Sequence, residues 1–222
     1  MNRFYLCFLL CAFVVHSSFS QQRDLLWYNK PATKWTEALP VGNGILGAMI
    51  FGKPEDELLQ LNEATFWSGG PVQDNVNPGA SKYLSPVREA LFKEDYQEAN
   101  KLVRNIQGVY SQTYLPLADL SIKQNFGAAE YQKYTRDLSL TKSLATVNFM
   151  ANGVSYKREI IATAPGKVIV VRLSASKPGQ ISFKAGLTSQ VNYTLSADGM
   201  SGLLLKAKAP SQVDPNYVKY NA

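Results

Sequence analysis

Histidine and cysteine are nearly missing from this 222-residue chain, which contains one histidine and two cysteines. All three (Cys7, Cys11 and His16) lie in an N-terminal segment that has the pattern of a secretory signal peptide. Removal of that segment leaves no thiol nucleophile, no disulfide, no Ser-His-Asp triad and no zinc site made of histidine and cysteine. The sequence therefore predicts a mature protein with no metal and no cofactor.

The N-terminal segment begins with the positively charged Met1–Arg3 and continues as an unbroken apolar run from Phe4 to Val15. Small residues at 18–20 predict cleavage just before Gln21. Residues 1–20 are therefore predicted to be a signal peptide.

The mature chain, residues 21–222, is predicted to be exported and either periplasmic or secreted. The apolar run is too short to cross a bilayer as a stable helix, so no membrane attachment is expected after cleavage. A lipid-anchored alternative would use Cys11, but the bulky Leu10 before it makes a poor lipobox. The sequence favours the soluble exported form.

Basic charge is modest and scattered. The formal net charge of +6 falls to +5 when Arg3 leaves with the signal peptide. No basic run or aromatic-interleaved RNA motif is present, and Gly42-Asn43-Gly44 lacks the spacing of a phosphate-binding loop. No nucleic-acid partner is predicted.

The rest of the chain indicates a mainly β protein. Short apolar segments alternate with Gly, Pro and Asn turns, which is typical of an antiparallel β-sandwich. Strands are predicted at 25–28, 45–51, 58–62, 117–122, 134–140, 146–150, 155–163, 167–174, 180–187, 193–196 and 203–207, and a further strand is predicted to begin at 218–220. Both faces of 167–174 are largely apolar, which predicts a central strand covered on both sides.

A two-helix insertion is predicted near residues 85–107, with helices at 86–92 and 94–107. In the second helix, apolar residues recur at spacings of three and four, at Tyr96, Ala99, Val103 and Ile106. This stripe is expected to pack against the sheet.

The most distinctive stretch runs from Pro40 to Pro71. Its first half, PVGNGILGAMIFG, is glycine-rich and predicts one arm of an antiparallel hairpin. Its second half, LLQLNEATFWSGGP, gathers polar side chains next to Trp67. This concentration of hydrogen-bonding groups beside an aromatic ring indicates a surface that meets a sugar or another part of the protein.

Four residues of this stretch are candidate contacts: Asn43, Asn62, Glu63 and Trp67. Trp67 offers a ring for stacking on a sugar, and burial against a neighbouring domain is an equal alternative. Glu63, like Glu37, lies near a tryptophan that is expected to raise the carboxyl pKa by desolvation. The simpler alternative for Glu63 is a hydrogen bond to backbone amides of its own turn. For Asn43, between two glycines, the simpler alternative is a left-handed backbone.

Five sequence blocks together resemble the N-terminal domain of glycoside hydrolase family 95, whose members include α-L-fucosidases and related α-galactosidases. The blocks are WYNKPATKWTEALPVGNGILGAMIFG, LQLNEATFWSGGP, YLPLADL, YTRDLSL and GVSYKREIIATAPGKVIVVRLSA. They cover nearly all of the mature chain in the family's order. The resemblance implies a supersandwich type of β-sandwich that precedes a helical linker and an (α/α)6 barrel.

The family's catalytic residues belong to the barrel, so the resemblance implies no catalytic residue in this chain. The full-length parent is expected to hydrolyse terminal α-linked fucose with inversion, and the 222-residue chain is expected to be an inactive fragment, truncated at its C-terminal end. The expected partners are the catalytic barrel and an oligosaccharide substrate. Asn43, Asn62, Glu63 and Trp67 are then expected at the barrel interface or the rim of its sugar pocket.

Two alternatives remain open. One is an autonomous, non-catalytic carbohydrate-binding sandwich in which Trp67 contributes to sugar binding. The other is a structural interaction module that binds only a separate barrel domain.

Overall fold

The computed structural model describes residues 24–70, 77–108 and 110–214. The predicted signal peptide, Pro71 and a terminal strand expected at 218–220 lie outside the described residues. In chain order the strands are β1 Leu25–Tyr28, β2 Leu39–Gly42, β3 Leu46–Ile50, β4 Asp56–Glu63, β5 Ala118–Lys123, β6 Gln132–Ser139, β7 Leu144–Ala151, β8 Val154–Thr163, β9 Val168–Ala175, β10 Lys184–Thr188, β11 Asn192–Asp198 and β12 Gly202–Lys208. The helices are α1 Leu84–Phe92 and α2 Tyr96–Val103.

Two five-stranded antiparallel sheets form the body of the domain. The first sheet has the order β1-β6-β7-β8-β9 and the second has the order β10-β5-β4-β3-β2. A separate hairpin, β11–β12, follows. The expected hairpin of β3 and β4 is present, with Met49 opposite Gln60.

The core lies between the two sheets, as expected from the period-two alternation of side chains along a strand. The inward-facing residues are almost fully buried; they are Leu39, Val41, Ala48, Ile50, Leu59, Ile122, Leu138, Ala145 and Ile160. This arrangement confirms the prediction of a mainly β sandwich with a helical insertion.

Strand β9 differs from its prediction because it lies at the edge of the first sheet and not at the centre. Its inward residues, such as Val171, pack on the core. The outward Val168 and Val170 remain 46% and 43% exposed. An apolar pattern on both faces therefore did not mean that both faces are covered.

The helical insertion also differs in its packing. Helices α1 and α2 pack chiefly against each other, and the expected stripe is only partly buried, since Ala99 is 5% exposed but Tyr96 is 67% exposed. Asp95 caps α2 by accepting a hydrogen bond from the backbone N–H of Glu98 at 3.0 Å. No helix among the described residues has the length and apolarity needed to cross a membrane.

A buried ion pair links the two sheets. Arg158 of β8 donates to the Glu57 carboxylate of β4 at 3.1 Å, and both side chains are almost completely buried. Arg158 also donates to the Lys53 and Pro54 carbonyls and to the Gln124 side chain. Burial raises the pKa of Glu57, with the Arg158 charge opposing it, and burial lowers the pKa of Arg158, with the Glu57 charge opposing it.

Candidate functional site

The outer face of the second sheet carries an open groove of about 510 Å³. Its floor is a row of cross-strand neighbours: Pro40 on β2 faces Met49 on β3, Met49 faces Gln60 on β4, and Gln60 faces Asp119 on β5. Their neighbours in sequence, such as Leu59 and Leu61, point into the core. Because side chains alternate between the two faces along each strand, the side chains of this cross-strand row lie on the outer face.

Aromatic and amide side chains complete the groove. Trp35, which is 60% exposed, precedes the edge strand β2, and Gln190 follows the opposite edge strand β10. Tyr114 and Asn62 also line the groove. The groove therefore crosses β2, β3, β4 and β5 and reaches the loop that follows β10.

The loop that carries Trp35 is held by the carboxylate of Glu37. Glu37 accepts hydrogen bonds from the Thr33 backbone N–H at 2.8 Å, the Thr33 hydroxyl at 3.1 Å and the Lys34 backbone N–H at 3.3 Å. These bonds lower the pKa of Glu37 below its ordinary value, with the Thr33 backbone bond contributing most. The prediction of a raised pKa for this group was therefore wrong: hydrogen bonds to the charged form outweigh desolvation.

A buried arginine anchors the same loop from the core side. Arg136 of β6 donates to the Lys30 carbonyl at 2.8 Å and to the Glu37 carbonyl at 2.7 Å. Its guanidinium lies 4.1 Å from the ring centroid of Tyr28. Arg136 is 1% exposed, so both ends of the Trp35 turn are tied to a fixed point in the core.

A second loop joins the groove to Trp67. Residues 66–68 pair with residues 113–115, and the Trp67 and Tyr114 rings meet edge to face at 5.4 Å. The Tyr114 hydroxyl donates to the Glu63 carbonyl at 3.3 Å. Tyr114 therefore lines the groove and supports the Trp67 loop at the same time. Burial raises the pKa of Tyr114, with the Glu63 charge adding to the effect, so its hydroxyl stays a donor.

Asn43 closes the turn between β2 and β3. Its side-chain oxygen accepts from the backbone N–H groups of Ile45 at 3.0 Å and Leu46 at 2.7 Å, and its amide donates to the Thr163 carbonyl at 2.8 Å. The left-handed residue of the turn is Gly44, with φ +89°, and not Asn43. Asn43 thus fixes the turn and ties it to the end of β8.

Glu63 and Trp67 both bond within their own loop. The Glu63 carboxylate accepts from the Thr65 backbone N–H at 2.9 Å and the Thr65 hydroxyl at 2.7 Å, which is the simpler alternative expected from the sequence. The Trp67 ring N–H donates to the Ala64 carbonyl at 3.1 Å, and the residue is 49% exposed. Of the four candidate residues, Asn62 lines the groove, and its amide has no hydrogen-bond partner among the described residues.

The sequence did not point to Gln60, Asp119 and Gln190 as site residues. A partial signal was present, since Gln60 and Asn62 alternate with buried leucines and Asp119 lies between Ala118 and Leu120. What joins them is the cross-strand register, which is a tertiary property.

The groove is suited to binding rather than to glycoside hydrolysis. Among the residues described, Asp119 is the one carboxylate that lines it, whereas hydrolysis commonly uses two. No group of three or more His, Cys, Asp or Glu side chains suited to a metal occurs in the described part of the chain. Fold and groove together define an antiparallel β-sandwich domain with a surface groove lined by aromatic rings and hydrogen-bonding groups.

Comparison with known proteins gives the family. Residues 26–222 match the family model described as "Glycosyl hydrolase family 65, N-terminal domain", and the chain belongs to this family of glycoside hydrolase N-terminal domains. It is 35% identical over 170 residues to "Alpha-L-fucosidase 2" of Arabidopsis thaliana, a match over 76% of this chain and 20% of that protein. It is 31% identical over 159 residues to "Probable alpha-fucosidase A" of Aspergillus oryzae, a match over 68% of this chain and 22% of that protein.

These matches confirm the resemblance drawn from the sequence blocks. The family model that matches is described as family 65. The matching relatives are named α-fucosidases, as expected for family 95. The chain spans about a fifth of the length of the curated relatives that it matches.

Proposed function

We propose that this chain is the N-terminal domain of an exported glycoside hydrolase that removes terminal α-linked fucose from oligosaccharides or glycans. The observation that carries the proposal is the match of residues 26–222 to a glycoside hydrolase N-terminal domain, together with relatives named α-fucosidases. The signal-peptide pattern of residues 1–20 supports export to the periplasm or the exterior.

In this proposal the 222-residue chain does not hydrolyse fucosides by itself. The chemistry belongs to a catalytic (α/α)6 barrel in the parent protein, which is the partner of this domain. Among the described residues the groove has one carboxylate, which supports the assignment of the chemistry to the barrel, because an inverting hydrolase needs an acid and a base on opposite sides of the scissile bond.

The loop from Asn62 to Gly70 is the proposed contact with the barrel or with the rim of its sugar pocket. Trp67 is half-exposed on a loop braced by Tyr114, and Asn62 has a free amide among the described residues. Glu63 and Asn43 contribute by holding their turns through the hydrogen bonds described above. An exposed, preorganised aromatic ring is the kind of group that dominates protein contacts.

The experiment uses the full-length parent protein that this proposal implies. That full-length product is expected to release nitrophenol from 4-nitrophenyl α-L-fucoside faster than from the matching α-D-galactoside. In that protein Trp67→Ala is expected to lower kcat/KM by roughly tenfold, since a lost aromatic contact of about 1.4 kcal/mol is a factor of ten. Trp27→Ala, at an equally exposed tryptophan on the other sheet, is the matched control and is expected to leave kcat/KM unchanged.

Absence of fucoside hydrolysis by the full-length product would overturn the proposed activity. A preference for the galactoside would keep the hydrolase and reject the fucose specificity. Equal effects of the Trp67 and Trp27 variants would reject the role of the Asn62–Gly70 loop.

A further inference from the structure

We infer that the groove on the outer face of the second sheet is a binding site for a neutral oligosaccharide. The groove lies beside the Trp67 loop and shares Asn62 and Tyr114 with it. Its ligand binds to this chain directly, so the inference does not depend on the proposed hydrolase activity.

The first argument is that four polar side chains in the groove have no hydrogen-bond partner among the described residues. Gln60, Asn62, Asp119 and Gln190 line one groove, and none of these side chains has a hydrogen-bond or ion-pair partner among the described residues. Three amides and one carboxylate supply both donors and acceptors. Vicinal hydroxyl groups of a sugar, each a donor and an acceptor, match this set.

The second argument is the placement of the aromatic rings. Trp35 and Tyr114 are 60% and 36% exposed at the groove, and Met49 and Pro40 add apolar surface between polar groups. An apolar ring face beside hydrogen-bonding groups suits a pyranose, which has apolar C–H faces and polar edges. The turn that carries Trp35 is held in place by hydrogen bonds: Arg136 donates to the Glu37 carbonyl, and the Glu37 carboxylate accepts from the Thr33 backbone N–H.

The third argument is charge and size. Asp119 is the one charged residue in the described lining, and no lysine or arginine accompanies it. An anionic sugar would therefore meet repulsion without a compensating cation.

The floor from Pro40 to Asp119 crosses four strands, which is roughly 14 Å at the usual strand spacing. This length exceeds one sugar ring, and the volume of about 510 Å³ falls in the range of small-ligand sites.

The test uses the 222-residue chain and its three tryptophans, each of which gives one indole N–H signal in a two-dimensional NMR spectrum. Trp→Phe variants assign the three signals. Titration with 2′-fucosyllactose is expected to shift the Trp35 signal in a saturable way and to leave the Trp27 signal in place. Titration with 3′-sialyllactose, which carries a negative charge, is expected to bind at least several-fold more weakly.

Two variants locate the site. Trp35→Ala is expected to weaken binding by roughly tenfold, and Gln60→Ala, which keeps the aromatic wall, by several-fold. Trp27→Ala, on β1 of the other sheet and away from the groove lining, is the control and is expected to bind as the wild type does. Unchanged thermal unfolding of each variant shows that the fold is intact.

The inference is overturned if no indole signal shifts up to the solubility limit of the sugar. It is also overturned if Trp27→Ala abolishes binding while Trp35→Ala does not, or if the sialylated sugar binds more tightly. These outcomes are distinct from failure of the proposed function, since fucoside hydrolysis by the full-length product is measured separately.

Discussion

At the scale of single residues, two buried arginines hold loops of the domain in place by donating to backbone carbonyls. Arg136 fixes the loop that carries Trp35, and Arg158 joins the Glu57 carboxylate to backbone carbonyls near the β3–β4 turn. Both arginines lie inside a β-sandwich whose buried residues are mostly apolar. A buried charge is tolerated there only because its partners are fixed in place.

Replacement of Arg158 by methionine leaves the buried Glu57 carboxylate without its cation. We expect Arg158→Met to lower the free energy of unfolding by about 3–5 kcal/mol, measured by urea denaturation. Arg172→Met is the matched control, since its side chain is 74% exposed and its nitrogen lies 3.8 Å from Glu159. The control is expected to stay within about 0.5 kcal/mol of the wild type.

The double variant Glu57→Gln with Arg158→Met removes both buried charges and is expected to recover part of the loss. Similar stability of the Arg158 and Arg172 variants would show that the buried pair does not matter to the fold.

The Glu37 carboxylate predicts a pH dependence. Its pKa in the folded protein lies below the ordinary value of 4.5, so its stabilising hydrogen bonds are fully present above that value. They are lost as the pH falls through the lower folded pKa. Glu37→Gln is therefore expected to be less stable than the wild type near neutral pH, and the difference is expected to shrink as the pH falls below 4.5 and through the folded pKa.

Denaturation midpoints of the wild type and Glu37→Gln across this pH range measure the effect. A difference that stays constant with pH would contradict the assignment of a charged hydrogen-bond acceptor at this turn.

At the scale of elements, most strands were predictable from the sequence, because turn residues and apolar runs are local signals. Strand β2 was not predicted from the sequence, because the proline at position 40 is typical of the end of a strand. The structure places β2 at a sheet edge, where a residue without an N–H is tolerated. The position of β9 at the other sheet's edge was also missed, because strand order is not encoded in the pattern of any one strand.

Local stability is expected to differ sharply between elements. Strands β7 and β8 have neighbours on both sides, and Val147 and Ile160 are fully buried. In the hairpin, every residue of β11 is exposed, and β11 pairs only with β12 among the described strands. Amides of β7 and β8 are expected to exchange hydrogen on the order of 100-fold more slowly than those of β11 and β12. Equal protection would contradict the described packing.

At the scale of the whole molecule, the sequence predicted the fold class and the family but only part of the candidate groove. The family signal comes from contiguous blocks of residues, and these are readable in one chain. The groove depends on the register that brings Met49, Gln60 and Asp119 into one row, and on loops that bring Trp35 and Tyr114 to its sides. These contacts join segments that are far apart in the sequence, so no local sequence pattern predicts them.

The whole-molecule account assigns sugar recognition to this domain and bond cleavage to another part of the parent protein. The most direct measurement compares fucose release from 2′-fucosyllactose by the 222-residue chain and by the full-length product, at equal molar concentration. The account predicts steady release by the full-length product and none by the 222-residue chain. Fucose release by the 222-residue chain in proportion to its concentration would contradict it.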